Sequence, residues 1–399
     1  MLTIITTHPI QYQVPIWREL ARRGNIPLEV IFLCDHGGRE SFDAEFGKQF
    51  KWDFDLFEGY ESHVVNHGKS PGGFMSLHIA PALWAHCRRR KTRVIWIQGW
   101  QVAGYWESAA LAKALGCALW LRGESNPRSG AARRRWTKRF ALDALFRLVT
   151  RFLTIGAANR AFYLARGAEE AKLAPAPYCV DNAKFRRSAQ SFAADREKLR
   201  SDWAIPANAF CYLFVGKLIG KKRPLDILEA AETLLKAHPE KRIHIAYVGS
   251  GELEAQLRAR ANVVFDASGD RIERARRRQI DVSLLGFMNQ AEIGKAYCAA
   301  DCLILPSEAD ETWGLVVNEA MASGLPAIIS NACGCADDLA LPGRSDLIFP
   351  VGDVAALAQS MEAAARNPPK PEEIARKIDA YDMLRTVETV ERLYRDEFA

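Results

Sequence analysis

Short runs of consecutive apolar residues alternate along this chain with stretches in which apolar positions recur every three to four residues. The runs predict buried strands, and the spaced stretches predict helices that cover them. In the first half the strands are Leu2–Thr6, Leu28–Leu33, Val94–Ile97, Ala118–Leu121 and Phe152–Ile155. Helices are predicted over Val14–Arg23, stopped by Gly24, and over Val102–Leu115. Ala174-Pro175-Ala176-Pro177-Tyr178 is stiff and non-helical and marks a boundary. After a mixed polar stretch, Cys179–Asn208, a second series begins. Its strands are Phe210–Val215, Ile243–Val248, Val282–Leu285, Cys302–Leu305 and Ala327–Ile329. Its helices are Pro224–Ala237, Glu252–Arg260 and Trp313–Ser323, and amphipathic helices follow at Asp353–Arg366 and Met383–Phe398. The basic excursion Gly269–Gln279 reads as a solvated helix. The pattern predicts an α/β fold of doubly wound parallel sheets, with domains at 1–180 and 181–378 and a terminal helix at 379–399. Ligands of such sheets lie beyond the carboxyl ends of the strands. In the first half that selects Thr7–Gln13, Gln98–Gln101 and Arg122–Asn126.

Composition changes this picture in two places. A length of 399 residues, 49% hydrophobic and 26% charged, suits an ordinary globular chain of two or three domains. No apolar run approaches the roughly 18–20 residues a membrane helix needs, and Met1 leads directly into a strand, so neither a span nor a signal peptide is expected. Nine cysteines form no paired CxxC motifs; Cys333-x-Cys335 lies in a turn with Gly334, and reduced thiols of a cytoplasmic protein are the expectation. The charge is uneven: residues 1–180 carry 25 Lys and Arg against 15 Asp and Glu, whereas 181–399 carry 29 against 33. The excess concentrates in Arg88-Arg89-Arg90-Lys91-x-Arg93 and in Arg128, Arg133–Arg135, Lys138 and Arg139. A basic first half predicts an anionic partner, such as an acidic membrane surface or a lipid phosphate. Arg133–Val149 is apolar nearly all round, which fits a buried helix or a membrane-surface helix. No zinc finger, RNP motif or helix-turn-helix signature supports nucleic acid.

The chemistry gathers at Leu303–Leu339, which reads strand, loop, helix, strand, loop. Glu311 precedes the helix and Glu319 lies within it. The helix start between them offers unpaired N–H groups, an anion site. One carboxylate at each end of a phosphate-sized socket fits a nucleotide sugar, with hydroxyls on either side of a diphosphate. The spacing Glu311-x7-Glu319, followed by Ala320-Met321-Ala322-Ser323-Gly324-Leu325-Pro326, strongly resembles the family 4 glycosyltransferases, retaining enzymes of the GT-B fold. The resemblance implies that Glu311 meets the donor sugar, Glu319 holds the ribose hydroxyls, and the amides of Gly314 and Leu315 meet the phosphates. Gly216-Lys217-Leu218-Ile219-Gly220-Lys221-Lys222 resembles the family's diphosphate-binding loop. It maps Lys217 and Lys222 to the cationic pair, with Lys217 where arginine is more usual; two cations can stabilise the leaving diphosphate without a metal. Val248-Gly249-Ser250-Gly251 and Leu284-Leu285-Gly286-Phe287 resemble the segments whose backbone approaches the nucleotide, through Gly249, Gly286 and Phe287. The likeness covers about residues 210–352, the donor half.

The first half matches less specifically. Thr7-His8-Pro9-Ile10-Gln11-Tyr12 replaces a glycine-rich loop, and His8 and Gln11 are candidate phosphate or acceptor ligands. Arg122 and Glu124 stand where relatives place an active-site histidine. Gln98 and Trp100 close a neighbouring strand and are candidates for the acceptor cleft, Trp100 being equally a core candidate. Asp53-x-Asp55, in an alternating Trp52–Phe57 run, places both acids on one strand face and reads as solvated surface rather than a metal site. HExxH, GxSxG and GxxxxGK[ST] are absent. The resemblance implies two domains facing across a cleft, with the last helix returning to the first. The implied activity is a metal-independent retaining transfer from a nucleotide sugar to a hydroxyl on a glycan or lipid-linked acceptor, in envelope polysaccharide or glycolipid synthesis. It requires no cofactor. A nucleotide-sugar-binding scaffold and an epimerase or phosphorylase with the same donor site stand as alternatives.

Overall fold

In a computed structural model, which describes residues 1–38, 41–43, 48–50, 55–128, 136–269 and 280–398, the chain builds two seven-stranded sheets. The first sheet uses β1 (Leu2–Thr6), β2 (Leu28–Cys34), β5 (Ser62–Asn66), β6 (Val94–Ile97), β7 (Ala118–Leu121), β8 (Arg151–Thr154) and β9 (Leu173–Pro175), in the order β5-β2-β1-β6-β7-β8-β9. A separate two-stranded pair, β3 (Ser41–Asp43) and β4 (Lys48–Phe50), lies outside it. The second sheet uses β10 (Phe210–Val215), β11 (Ile243–Val248), β12 (Asn262–Asp266), β13 (Asp281–Leu284), β14 (Cys302–Leu305), β15 (Ala327–Ser330) and β16 (Ile348–Phe349), in the order β12-β13-β11-β10-β14-β15-β16. The pairings around β1 and β10 are parallel, with Leu2 beside both Leu28 and Val94, and Leu213 beside both Ala246 and Leu303. Central strands covered on both faces favour apolar residues at most positions, which is why they read as near-continuous runs rather than alternations.

One compact unit consists of Met1–Phe42, Gln49–Cys179 and Asp382–Ala399; the other is Asp43–Lys48 with Val180–Tyr381. In the first, one sheet face buries Ile5, Ile31, Ile95 and Leu119 under the helices Ala103–Leu115 and Trp136–Leu148. The other face buries Leu2, Ile4, Val30 and Trp96 under the helix Val14–Arg23 and the final helix Met383–Phe398, which supplies Val387, Val390 and Leu393. Gly24 ends its helix in the left-handed region at φ 66°. In the second unit, helix Pro224–Ala237 packs against helix Val354–Arg366, and the Tyr212 hydroxyl donates to the Met361 carbonyl at 2.6 Å.

The structure departs from the sequence expectations at identifiable points. Leu173–Pro175 is the edge strand of the first sheet, a place where proline's missing N–H does no harm. The polar stretch after Cys179 holds two helices, Asn182–Phe192 and Arg196–Asp202, the first capped by the Asp181 side chain accepting from the Lys184 N–H at 2.8 Å. Among the described side chains of the helix Trp136–Leu148, Leu142, Leu145 and Phe146 are buried while Phe140 is 67% exposed, so the helix is not buried all round. Asp55–Phe57 forms a turn in which Asp55 Oδ1 accepts from the Phe57 N–H at 2.9 Å, which corrects the strand reading of Trp52–Phe57 there. Asp53, the Arg133–Arg135 cluster and most of the excursion Gly269–Gln279 lie outside the described residues. No helix among the described residues is long and apolar enough to cross a membrane.

Candidate active site

Each sheet reverses its winding beside its first strand. β1 lies between β2 and β6, and β10 lies between β11 and β14. Neighbouring crossovers leave in opposite directions at such a place and open a crevice at the carboxyl ends of the strands. In the second unit the loops after β10 and β14 flank this crevice, and they carry Lys222 and Glu311.

Four loops are laced together above that edge. The Gly216 N–H donates to the Val248 carbonyl at 3.0 Å, the Leu218 N–H to Ser250 at 2.9 Å, and the Gly249 N–H to the Gly286 carbonyl at 2.8 Å. The Glu308 N–H donates to the Lys221 carbonyl at 2.9 Å and joins the loop after β14 to them. Gly249 has φ 127°, and a β-carbon there would stand 2.0 Å from the Gly216 carbonyl oxygen. Lys222 closes a single 3₁₀ turn, Gly220–Lys222, and hydrogen bonds as an ion pair to Glu311. Arg223 follows at φ 49°, an unfavourable region for a side-chain-bearing residue. Its guanidinium is held by Asp226 at 2.7 Å and Glu308 at 3.2 Å. Lys217 lies on the same loop, two residues beyond β10.

The helix Leu315–Ala322 starts at Gly314, φ 106°, with no side-chain cap. A β-carbon on Gly314 would meet Leu305 at 2.6 Å, so glycine lets the helix start close over β14. The turn carrying Cys333 and Cys335 braces the acidic loop: the Gly334 N–H donates to the Glu311 carbonyl at 3.0 Å and the Cys335 N–H to the Trp313 carbonyl at 3.0 Å. The Trp313 Nε1–H donates to Asn318 Oδ1 at 2.8 Å inside the core.

Glu319 accepts from the Tyr297 hydroxyl at 2.6 Å. Tyr297 comes from the helix Ile293–Ala299, which the hydrophobic pattern did not reveal, and no motif announced it. Burial pushes the Glu319 carboxyl up to about 7, against smaller opposing effects of the Tyr297 hydrogen bond and Lys184. A raised acid binds its proton more tightly folded than unfolded. Its contribution to stability is therefore full below the ordinary value of 4.5 and is lost as pH rises through about 7. Glu319→Gln, a mimic of the protonated form, should raise the melting temperature at pH 8 and leave it nearly unchanged at pH 4. Thermal denaturation of both proteins at the two pH values checks this; an equal shift at both would reject the titration.

In the first unit the loops after β1 and β6 hold His8, Gln11 and Gln98. His8 Nδ1 lies 2.9 Å from Thr7 Oγ1, and burial, with the neighbouring His36, pushes its imidazole down to about 4, so it is neutral at pH 7. Gln11 Oε1, Gln13 Oε1 and Gln98 Nε2 are buried polar atoms with no hydrogen-bond partner in the protein, a condition that folded proteins rarely leave unmet. Glu124 accepts from the Tyr12 hydroxyl at 3.1 Å and from the Tyr178 hydroxyl. Arg122 is buried; its Nη2 donates to the Ala176 and Pro177 carbonyls at 3.1 and 3.0 Å, and its guanidinium lies 4.8 Å from the Tyr178 ring centre. Arg122 Nε is a further buried polar atom with no hydrogen-bond partner in the protein. Trp100, a candidate for the acceptor cleft, is instead core: it is buried and stacks on Phe162 with ring centres 6.1 Å apart. A β-carbon on Gly123 would stand 2.3 Å from the Trp100 ring, so the glycine lets the end of β7 pass beneath it.

Residues 195–380 match the family model described as glycosyl transferases group 1. Over 204 residues the chain is 29% identical to D-inositol 3-phosphate glycosyltransferase of Pseudarthrobacter chlorophenolicus, covering 51% of this chain and 44% of that protein. It is 31% identical over 144 residues to sulfoquinovosyl transferase SQD2 of Arabidopsis thaliana, 36% of this chain and 24% of that one. The match thus spans less than half the length of these curated relatives. Among solved structures, a glycosyltransferase from Rickettsia africae superposes with a TM-score of 0.69 at 12% identity, covering 99% of this chain and 98% of that one. Alr3699/HepE of Anabaena, crystallised with UDP and glucose, gives 0.68 at 16% identity, over 99% of this chain and 100% of that one. At those identities the likeness establishes the fold.

Proposed function

We propose that the chain, whose residues 195–380 match the family model described as glycosyl transferases group 1, is a retaining glycosyltransferase moving a sugar from a nucleoside diphosphate sugar to a hydroxyl acceptor. The observation that carries the reading is the Lys222–Glu311 pair at the switch point between β10 and β14, beside the uncapped start of the helix Leu315–Ala322. Without ligand, each charge neutralises the other and holds it in place. When a donor arrives, Lys222 turns its charge to the diphosphate and Glu311 is released to accept from the sugar hydroxyls. Lys217 and the helix start at Gly314 and Leu315 add positive potential where the leaving diphosphate gathers charge. Glu319, as a carboxylate, accepts from the ribose hydroxyls. Gly216, Gly249, Gly286 and Phe287 line the nucleotide with backbone and one half-exposed ring. Departure and attack occur on the same face of the sugar, and these cations perform the work without a metal.

The first unit takes the acceptor. His8, Gln11 and Gln98 are hydrogen-bonding groups at its own switch point, and Glu124, after β7, reaches the loop after β1 through Tyr12, chemistry suited to a hydroxyl-rich glycan. A glycan carried on lipid at an anionic cytoplasmic membrane face fits the basic excess of residues 1–180. Envelope glycan synthesis is the setting these features suit.

Support for the reading includes the UDP and glucose bound by the Anabaena relative in fold. The test is a thermal-shift screen of nucleoside diphosphates and their sugars, followed by turnover on free and vesicle-borne glycans. Binding of one diphosphate class should raise the melting temperature by mass action, and product should keep the donor's anomeric configuration. Stabilisation by no nucleotide would overturn the donor site. Tight donor binding without product on any acceptor points to a scaffold, and turnover without acceptor to an epimerase or phosphorylase.

A further inference from the structure

We propose that Glu29, His63 and His86 form a binding site for a divalent transition metal ion of the zinc class, at the amino-terminal end of the first sheet. The three residues come from three adjacent elements of one unit. Glu29 is the second residue of β2, and its side chain is fully buried. His63 is the second residue of β5, whose register sets it beside Ile31, two positions along β2 from Glu29. His86 comes from the helix Ala82–Arg89, whose Leu83 and Cys87 enter the core on that same sheet face.

One ligand atom from each residue, taken together, falls within 4.8 Å of the others. His86 Nε2 stands 2.8 Å from Glu29 Oε2, and His63 Nε2 stands 3.9 Å from the same oxygen. Zinc–ligand bonds of about 2.0–2.1 Å in a tetrahedron separate ligand atoms by roughly 3.3 Å, so small rotations bring this set to a common ion. His63 is 46% exposed and has room to make the larger move, which also leaves an open side for water.

The surroundings fit a metal ligand set. The Thr3 hydroxyl donates to Glu29 Oε1 at 2.8 Å and fixes the carboxylate, leaving Oε2 as the oxygen toward which both imidazoles turn. Outer hydrogen bonds of this kind orient metal-binding carboxylates. Both histidines offer Nε2, and their rings meet edge to face with centres 5.3 Å apart. A buried carboxylate also needs positive charge. Arg90 supplies it weakly: its Nε lies 3.5 Å from Glu29 Oε2 and makes no hydrogen bond, while its Nη2 is held by Glu61. A bound ion would take over that role and leave Arg90 on Glu61. Coordination by His86 Nε2 places the proton on Nδ1, which displaces the 3.3 Å contact of the exposed Arg89. Glu61, 3.4 Å from His63 Nε2, is a further oxygen within reach. The ion would clamp the edge strand β5 and the helix Ala82–Arg89 to β2. This role is structural and separate from the donor chemistry of the second unit.

The test uses tag-free, chelator-treated protein titrated with Co²⁺, followed by competition with Zn²⁺. The expected result is one equivalent of Co²⁺ giving visible ligand-field absorption, displaced by Zn²⁺, with a higher melting temperature in saturating metal. His63→Ala removes a ligand at an exposed position and should keep the fold while weakening the metal at least roughly tenfold, a loss that removal of an outer partner alone already reaches. His86→Ala should do the same. Absence of the absorption, or equal metal affinity in wild type and both variants, overturns the site.

Discussion

Lys222→Ala should lower kcat for sugar transfer by about 10²–10³-fold, roughly 2.7–4 kcal/mol, the cost of removing one preorganised charge-stabilising group from a transition state. The argument is local. Lys222 reaches Glu311 across the crevice between the loops after β10 and β14, and its 3₁₀ turn is held from behind by Arg223 and its two acids. The loss should fall mainly on kcat, because the diphosphate carries most charge as it departs. Lys222→Arg keeps the charge and should recover part of the rate. Steady-state kinetics with the donor identified by the nucleotide screen decides the matter. A loss under tenfold, about 1.4 kcal/mol, would remove Lys222 from the mechanism.

Gly249→Ala should lose donor binding and thermal stability together. The residue sits at φ 127°, and its new β-carbon would press on the Gly216 carbonyl oxygen at 2.0 Å, backbone against backbone. No rotamer relieves that contact. The loops after β10 and β11 must separate, and the Gly249–Gly286 hydrogen bond that joins the loop after β13 goes with them. Strain at a special backbone angle together with overpacking places the cost at about 3 kcal/mol or more. Calorimetry and nucleotide titration measure both effects. Gly220→Ala is the control, since a β-carbon there meets nothing within 4 Å. Equal behaviour of the two variants would show that close loop packing is not what the glycine provides.

The two halves differ in how much of this was legible in the residues alone. The donor side was open to reading because its chemistry is contiguous: Glu311, Gly314 and Glu319 follow one another on one loop and one helix, and strands buried on both faces announce themselves as apolar runs. Even there, Tyr297, which holds Glu319, stayed hidden. Its helix is seven residues long and mostly buried, so it shows no polar face to set its period. In the first unit the polar cluster is assembled from Tyr12, Glu124 and Tyr178, residues far apart in the chain and joined only by folding. The charge of Arg122 was visible, but nothing in the chain told that its Nη2 would meet the Ala176 and Pro177 carbonyls beside the Tyr178 ring while its Nε stayed unpartnered. Ala174–Tyr178 read as a stiff boundary, and the strand Leu173–Pro175 at its start stayed hidden because a proline strand is tolerable only at an edge, and edges are a property of the whole sheet.

The route of the chain sets the order in which it can become a protein. Val387, Val390 and Leu393, from the final helix, fill the same apolar layer as Leu2, Ile4 and Trp17. On the ribosome, Leu2, Ile4 and Trp17 emerge before Val387, Val390 and Leu393, so that layer cannot be sealed until all of Val180–Tyr381 has been made. While that intervening stretch is being made, the apolar face of β1 and of the helix Val14–Arg23 lacks its cover. That face is where a chaperone would bind, and where a premature stop codon upstream of Val387 would do its damage.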